Sequence, residues 1–280
     1  MTQLLNKYQR DLALRGFAER TCEHYTANVR QFLAHYHLPV EELDSEKIKD
    51  YLYHLVSSQA SDSKIRQAHG SLKYLFTQTL NRPWEIDSIP QRKKKRKLPS
   101  VLTVNEVFLL LDNCANLKHK AMLMTAYSAG LRVSEVVKLQ LGDICRDKKR
   151  LLIRQAKGHR DRYTVLSDYC LKVLEEYWRQ YRPQKWLFMG KDKASPLSTR
   201  ACQHAFKIAK KNAGIEKEGG VHSLRHSFAT HYLEIGGGIF QLQRFLGHRN
   251  LKTTLIYAHV QEENIVSRNP LDFFIHEKYS

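Results

Sequence analysis

Four side chains that can do acid, base or nucleophilic chemistry lie close together near the carboxyl-terminal end of this sequence. His222 and Arg225 are three positions apart, His248 follows Gly247, and Tyr257 comes nine positions after His248. A guanidinium offers paired donors that fit two phosphate oxygens, and a neutral imidazole can accept or donate a proton near neutral pH. These residue types therefore favour a site that binds a phosphate group.

Tyr257 is the candidate nucleophile of such a site. A phenol that attacks a phosphodiester forms an aryl phosphate ester, whose leaving group has a pKa of about 10. A sugar hydroxyl can displace that leaving group later. The energy of the broken bond is therefore kept, and no ATP is needed.

The motifs that carry these residues resemble those of the tyrosine site-specific recombinases, the integrase family. They are His-x-Leu-Arg-His at 222–226, Leu-Gly-His at 246–248 and the tyrosine nine residues beyond. Upstream, Ala-Gly-Leu-Arg-Val-Ser-Glu at 129–135 resembles the family's first arginine motif, and Lys157 precedes a glycine at the position of its hairpin lysine. Four motifs in the family's order make a specific signal, and the chain looks most similar to simple two-domain Xer-like enzymes.

The resemblance implies a set of catalytic residues and a mechanism. Lys157 would protonate the leaving 5′ oxygen, His248 would hydrogen-bond the phosphate, and Tyr257 would form a 3′-phosphotyrosyl link. Glu135 would orient a cation and not act as a base. The full catalytic set is Arg132, Lys157, His222, Arg225, His248 and Tyr257.

The resemblance also implies the partners. They are double-stranded DNA with inverted-repeat core sites and further copies of the same chain, four protomers acting on two DNA sites through a four-way junction. No metal and no other cofactor is expected. Integration, excision, inversion, transposition and resolution all remain open as the biological role.

Three other interpretations remain to be weighed. A type IB topoisomerase-like enzyme would relax DNA through the same tyrosine link, and a non-catalytic DNA-binding protein would have lost the chemistry. A metal site could form from His222, His226 and His231, which are four and five positions apart. Arg225 argues against the metal, because a fixed cation beside His222 would repel a divalent ion. His226 and His231 are then expected to be structural.

Composition supports a polyanionic partner. The chain has 280 residues, 46 of them basic and 28 acidic, for a net charge of +18. A balance this basic favours nucleic acid, and no apolar run approaches the roughly 20 residues that span a bilayer. The five cysteines are scattered and never spaced as Cys-x-x-Cys, which is typical of reduced thiols. We therefore expect a cytoplasmic protein without disulfides.

The positive charge is concentrated between two expected domains. Residues 90–100 contain six basic and no acidic residues, flanked by Pro90 and Pro99. Like charges keep such a run extended, so it is predicted to be an interdomain linker that contacts DNA phosphates. The alternative is a charge run that is merely solvated. Its basic residues are Arg92, Lys93, Lys94, Lys95, Arg96 and Lys97.

Hydrophobic periodicity predicts the two domains. Residues 1–89 show four amphipathic stripes at helical spacing and predict an all-helical domain, with Thr21 as a cap of the second helix. The family resemblance implies that this is a core-binding domain, which holds DNA. Residues 101–280 predict a mixed α/β catalytic domain, mainly helical with a small β-sheet. Its short strands flank a loop at 157–161. The apolar cluster at 271–275 is expected to pass to a neighbouring protomer or to fold back onto its own domain.

Overall fold

The computed structural model describes residues 2–84, 99–156 and 160–258, and the chain divides into two compact units, Met1–Lys97 and Leu98–Ser280. The described residues are mainly helical and contain one small three-stranded sheet. This confirms the fold class predicted from the sequence. The basic run at 92–97, Lys157 and the apolar cluster at 271–275 lie outside the described residues.

In the first unit, residues 2–84 form a bundle of four α-helices. They are α1 (Thr2–Leu14), α2 (Glu19–Tyr36), α3 (Ser45–Ser57) and α4 (Asp62–Tyr74), the last continuing into a π-helical turn at Leu75–Thr79. Each helix buries the apolar stripe seen in the sequence, so Tyr8, Phe32 and Leu72 meet in one core.

Side chains cap the starts of two helices in this unit. Asp44 accepts a hydrogen bond from the backbone of Lys47 at the start of α3, and Ser61 does the same at the start of α4. The prediction that Thr21 caps α2 is wrong. The helix begins at Glu19, after Ala18, so Thr21 lies inside its first turn.

The second unit surrounds a small antiparallel sheet with helices. The sheet has the order β1-β2-β3, and Leu152 pairs with Tyr163 across its two longer strands. The elements are α5 (Val104–Asp112), α6 (Leu117–Ser128), α7 (Val133–Val137), β1 (Ile144–Cys145), β2 (Arg150–Ala156), β3 (Arg160–Val165), α8 (Asp168–Tyr181), α9 (Thr199–Asn212), α10 (His222–Glu234), α11 (Ile239–Leu246) and α12 (Leu255–Ala258).

Two helices form the centre of this unit. Residues 121–126 of α6 are all buried, and so are most residues of α10, from Ser223 to His231. A helix buried on all sides carries any charged residue into the interior, where it must find partners. The position of Arg225 on α10 therefore decides the architecture of the site.

Some smaller features do not follow from the sequence. Trp178 is 41% exposed although tryptophan is usually buried, because its face of α8 turns outward, and the guanidinium of Arg182 lies 4.2 Å from its ring. The first strand, β1, is only two residues long and left no periodic signal. All five cysteines are free, and burial raises the pKa of Cys170 and Cys202 to about 12.

Candidate active site

The guanidinium of Arg225 joins three of the four sequence motifs. Arg225 is only 4% exposed, and its Nη1 donates to the carbonyl oxygen of Gly130 at 2.7 Å. Its Nη2 donates to the carbonyl oxygen of Leu246, also at 2.7 Å, and lies 3.0 Å from Nε2 of His248. The side chain is thus fixed between the loop before α7 and the end of α11.

Two backbone features make these carbonyls available. Leu246 is the last residue of α11, so its carbonyl has no partner within the helix. Gly130 has a positive φ of 61°, and a Cβ at this position would collide with the ring of Phe228. Glycine is therefore required where the chain turns toward Arg225.

Arg132 reaches the same point from the start of α7. Its Nη1 donates to Oε1 of Glu135 at 2.8 Å and lies 3.4 Å from the carbonyl oxygen of Leu246. The side chain of Arg132 is 24% exposed, whereas that of Arg225 is 4% exposed. Arg132 is thus the arginine of this pair that remains open to an incoming anion.

Glu135 is the counter-ion beneath the two arginines. It is 8% exposed and accepts hydrogen bonds from the backbone and side chain of Arg132. Burial acts to raise its pKa, but hydrogen bonds and charge from Arg162, and then from Arg132, outweigh burial and lower the pKa to about 2. The carboxylate is ionised at neutral pH and orients cations, as expected from the sequence.

Arg162 is a third arginine of the cluster, and the sequence did not reveal it. It lies on β3 with 9% of its side chain exposed, and its Nη1 and Nη2 donate to Glu135 at 2.9 and 2.8 Å. Its Nε donates to the carbonyl oxygen of Phe245 at 2.8 Å. A Cβ on Gly247 would lie 2.8 Å from Cδ of Arg162, so glycine there leaves room for this side chain.

The three arginines leave the site with excess positive charge. Arg132, Arg162 and Arg225 surround one carboxylate, and Nη1 of Arg225 lies 3.8 Å from Oε2 of Glu135. Burial, followed by the charge of Arg132, lowers the pKa of Arg225 to about 9. A positive excess that is partly removed from water creates a strong potential for an anion.

His248 is held as a neutral imidazole. Its Nε2 faces Arg225, which can only donate, so Nε2 accepts; Nδ1 then carries the proton and donates to Oγ1 of Thr254 at 3.0 Å. Burial, and then the charges of Arg225 and Arg132, lower the pKa of His248 to about 3. The ring is neutral at physiological pH.

His222, the first residue of α10, differs from the other members of the set because it is exposed. Its surroundings still exclude enough water to lower its pKa, and the charges of Arg225 and Arg132 lower the pKa further. The imidazole therefore lies within the field of both arginines and also reaches solvent.

Tyr257 lies inside the same cluster. It is 4% exposed on α12, and its ring is nearly parallel to that of His248, with centroids 6.4 Å apart. Burial raises the pKa of the phenol, while Arg225 and Arg132 act to lower it. Its oxygen lies 2.8 Å from Nδ1 of His226, a residue that was expected to be only structural.

Two parts of the chain match the models of known protein domains. Residues 100–264 match the model of the phage integrase family, and residues 4–86 match the N-terminal SAM-like domain of phage integrases. This chain belongs to the phage integrase family. It is a tyrosine recombinase, an enzyme of site-specific recombination that cleaves and rejoins DNA strands.

Relatives of this recombinase cover most of its length. The candidate integrase/recombinase y4qK of Sinorhizobium fredii is 36% identical over 95% of this chain and 87% of its own. The tyrosine recombinase XerD of Halalkalibacterium halodurans is 32% identical over 88% of this chain and 89% of its own. The tyrosine recombinase XerA of Pyrococcus horikoshii is 31% identical over 94% of this chain and 91% of its own.

Solved structures share the fold of the recombinase. A crystal structure of XerA recombinase has 25% identity and a TM-score of 0.55, and covers 94% of this chain and 95% of its own. A lambda integrase dimer bound to a core site gives a TM-score of 0.74 at 18% identity, and the match covers 90% of this chain and 96% of its own. The second likeness concerns the fold alone.

The histidines of α10 contact different groups in the recombinase. His226 faces Tyr257, whereas Nδ1 of His231 lies 2.9 Å from the hydroxyl of Tyr127. Within residues 2–84, 99–156 and 160–258, no group of three His, Cys, Asp or Glu side chains is arranged to hold a metal. No helix in those same ranges is long and apolar enough to cross a membrane.

Five of the six predicted catalytic residues of the recombinase meet in one cluster, and Lys157 lies outside the described residues. The strands that flank it, β2 and β3, pair as far as Ala156 and Arg160. Two further residues, Arg162 and His226, belong to the cluster and were missed. Their type carried no signal, since an arginine in a strand and a histidine on a helix are common at surfaces and in cores.

Proposed function

We propose that Tyr257 is the nucleophile of this recombinase and that the arginine cluster is its phosphate site. The phenol oxygen loses its proton and attacks the scissile phosphorus, a phosphorus–oxygen bond forms to tyrosine, and the bond to the 5′ oxygen breaks as that oxygen gains a proton. The products are a 3′-phosphotyrosyl link and a 5′ hydroxyl. The observation that carries this proposal is a buried tyrosine in the field of two arginines that both contact the carbonyl of Leu246.

Charge stabilisation is divided among the remaining residues. Arg225 is fixed by two backbone carbonyls and supplies charge that need not reorganise during the reaction. Arg132 and His222 reach solvent and contact the phosphate oxygens directly, and His248 lies beside the phosphate as a neutral imidazole. Lys157 protonates the leaving 5′ oxygen, a role that rests on family resemblance. Because cations supply the charge, neither metal nor ATP is required.

DNA binding involves both domains and the basic linker. The helical domain at 1–89 and the catalytic domain at 101–280 hold the duplex, and the linker at 90–100 follows its phosphates. Support for this division comes from the two compact units and from the two family matches. The N-terminal match ends at residue 86, and the C-terminal match begins at residue 100. The contacting residues of the linker are Arg92, Lys93, Lys94, Lys95, Arg96 and Lys97.

The working assembly is a tetramer on two DNA sites, each with inverted repeats around a short spacer. A lambda integrase tetramer bound to a Holliday junction has the same fold, with a TM-score of 0.72, which supports this assembly. A similar fold in the Tn1549 transposon integrase makes transposition one role to test. Free cysteines and a DNA substrate fit work in the cytoplasm.

A two-site plasmid assay tests the proposed function. The DNA that flanks the gene is searched for short inverted repeats around a spacer, two copies of such a site are placed in a plasmid, and the product is sequenced after incubation with and without EDTA. We expect recombinant junctions in both conditions, and none from a plasmid with one site. Relaxed plasmid without junctions would favour a topoisomerase-like activity, and inactivation by EDTA that added metal reverses would contradict the metal-free mechanism.

A further inference from the structure

The hydroxyl of Tyr257 is paired with a residue outside the six proposed catalytic side chains. Nδ1 of His226 lies 2.8 Å from the phenol oxygen, and the two rings are tilted at 44° with centroids 5.7 Å apart. Tyr257 is 4% exposed and His226 is half-buried, so little water competes for this contact. A hydrogen bond shielded from water orients its partners more strongly than an exposed one.

The protonation states of the pair follow from its surroundings. Burial, then the charges of His222 and Arg225, lower the pKa of His226 to about 4, and burial raises the pKa of Tyr257. Both groups are therefore neutral at physiological pH. The phenol donates a hydrogen bond to the lone pair on Nδ1 and keeps its proton. The ring proton of His226 is then on Nε2.

The buried position of Tyr257 limits which groups can hold its hydroxyl. Tyr257 is 4% exposed, whereas its neighbours Leu255 and Ile256 are partly exposed at 38% and 37%. Of the described residues of α12, Tyr257 is the one that is buried in the core. Among the described residues, the hydrogen-bond partner of its hydroxyl is His226.

We infer that His226 is a positioning residue, which holds the phenol oxygen of Tyr257 beside Arg132 and Arg225 through an accepted hydrogen bond. The inference rests on the proposed role of Tyr257 as nucleophile. The hydrogen bond fixes the attacking atom before DNA arrives, so the side chain of Tyr257 does not have to be ordered during the reaction. A displacement of about 1 Å in a reacting group can lower a rate about a hundredfold.

This role differs from that of a proton acceptor. In the DNA-free enzyme the imidazolium of His226 is far more acidic than the phenol, so the proton remains on the tyrosine oxygen. What His226 supplies is an acceptor atom at a fixed place. An uncharged group with an acceptor at the same position would supply it equally well.

Two substitutions separate these roles. His226→Asn puts an amide oxygen near the position of Nδ1 but cannot be protonated, and His226→Leu removes the acceptor at similar volume. The rate of covalent adduct formation is measured across pH 6 to 9 on saturating DNA, together with affinity for a single site. We expect the Leu variant to be slower by about tenfold to a hundredfold, with unchanged affinity. The Asn variant should stay within about threefold of the wild type, with the same pH profile.

Each contrary result has a distinct meaning. A Leu variant as fast as the wild type, or faster, would overturn the positioning role. An Asn variant as slow as Leu with an altered pH profile would make His226 a proton acceptor and would also overturn it. Failure of the proposed function is recognised separately, because Tyr257→Phe would then still form the adduct.

The pair can also be tested without catalysis, in case the Leu variant does not fold. Midpoints of urea unfolding are compared for His226→Ala, Tyr257→Phe and the double variant. We expect the two changes to be non-additive, because either one removes the same hydrogen bond. Additive shifts in the midpoint would show that His226 and Tyr257 are not coupled, and the inference would fail.

Discussion

Arg162 and Glu135 form a two-pronged ion pair inside the catalytic unit, with nitrogen–oxygen distances of 2.9 and 2.8 Å. Their side chains are 9% and 8% exposed. The pair joins β3 to the start of α7, and Nε of Arg162 extends the connection to Phe245 in α11. The elements that carry Arg132 and His248 are thereby fixed relative to each other.

Loss of this connection should be costly. Replacing Arg162 with Met leaves a buried carboxylate without its main partner, which typically costs about 3–5 kcal/mol of folding free energy. The matched control is Arg146→Met, whose partner Glu175 is 35% exposed and whose own side chain is 66% exposed. Exposed pairs contribute about 0–1 kcal/mol. Urea unfolding measures the folding free energy of each variant. Equal losses of stability in Arg162→Met and Arg146→Met would contradict the proposed importance of Arg162.

Stability should fall as the solution is made acidic. The folded pKa values of His226 and His248, about 4 and 3, are below the ordinary value of 6.5. Between these values the unfolded chain binds protons that the folded chain does not, so stability present above pH 6.5 is lost as pH falls. Each histidine contributes a slope of about 1.4 kcal/mol per pH unit in that window.

The histidine slope has a direct measurement. The free energy of unfolding is measured from pH 7 to pH 5 for the wild type and for His226→Asn, and the difference between them should shrink or reverse as pH falls. His24, which is exposed on α2, is the control position for the same substitution. Parallel curves for wild type and His226→Asn would show that His226 is not held neutral by the fold.

Arg225 should not tolerate even lysine. Lysine keeps the charge but cannot donate to Gly130 and Leu246 in the fixed geometry of a guanidinium. We expect Arg225→Lys to slow cleavage by about a hundredfold or more and to lower stability, since buried carbonyls lose their donors. Arg179→Lys, at an exposed position of α8, is the control. Wild-type cleavage by Arg225→Lys would refute the fixed-charge role.

The linker should make DNA binding sensitive to salt. About six phosphate contacts would lower affinity roughly a thousandfold between 50 and 200 mM salt. Changing Lys93, Lys94, Lys95 and Lys97 to glutamine should flatten the dependence of log Kd on log salt and leave the preferred sequence unchanged. If the slope stays the same, the basic run is solvated and does not contact DNA.

The helices and the meeting of the motifs in one site could be predicted from the sequence, and the reasons are physical. Apolar stripes at helical spacing determine which faces are buried, so α1 to α4 follow from periodicity. The strand β3 was harder, because Thr164 and Arg162 face inward while Tyr163 is 57% exposed. Hydrophobicity suggests the opposite orientation, and only the partner Glu135 explains the buried arginine.

His226 was missed for a different reason. Its position in the motif next to Arg225 is visible in the sequence. Its contact depends on where Tyr257, 31 positions later, lies in the fold. No local pattern encodes that distance. The same limit applies to Arg225, whose phosphate role was expected but whose bonds to Gly130 and Leu246 depend on tertiary packing.

The identity of the nucleophile is tested most directly by trapping the covalent complex. Wild type and Tyr257→Phe are incubated with a nicked DNA site from which the cleaved fragment diffuses away, and the adduct is digested and mapped by mass spectrometry. The account predicts a nucleotide on the peptide that contains Tyr257 in the wild type, and no adduct from the Phe variant despite normal DNA binding. An adduct formed by Tyr257→Phe, or mapped to another tyrosine, would contradict it.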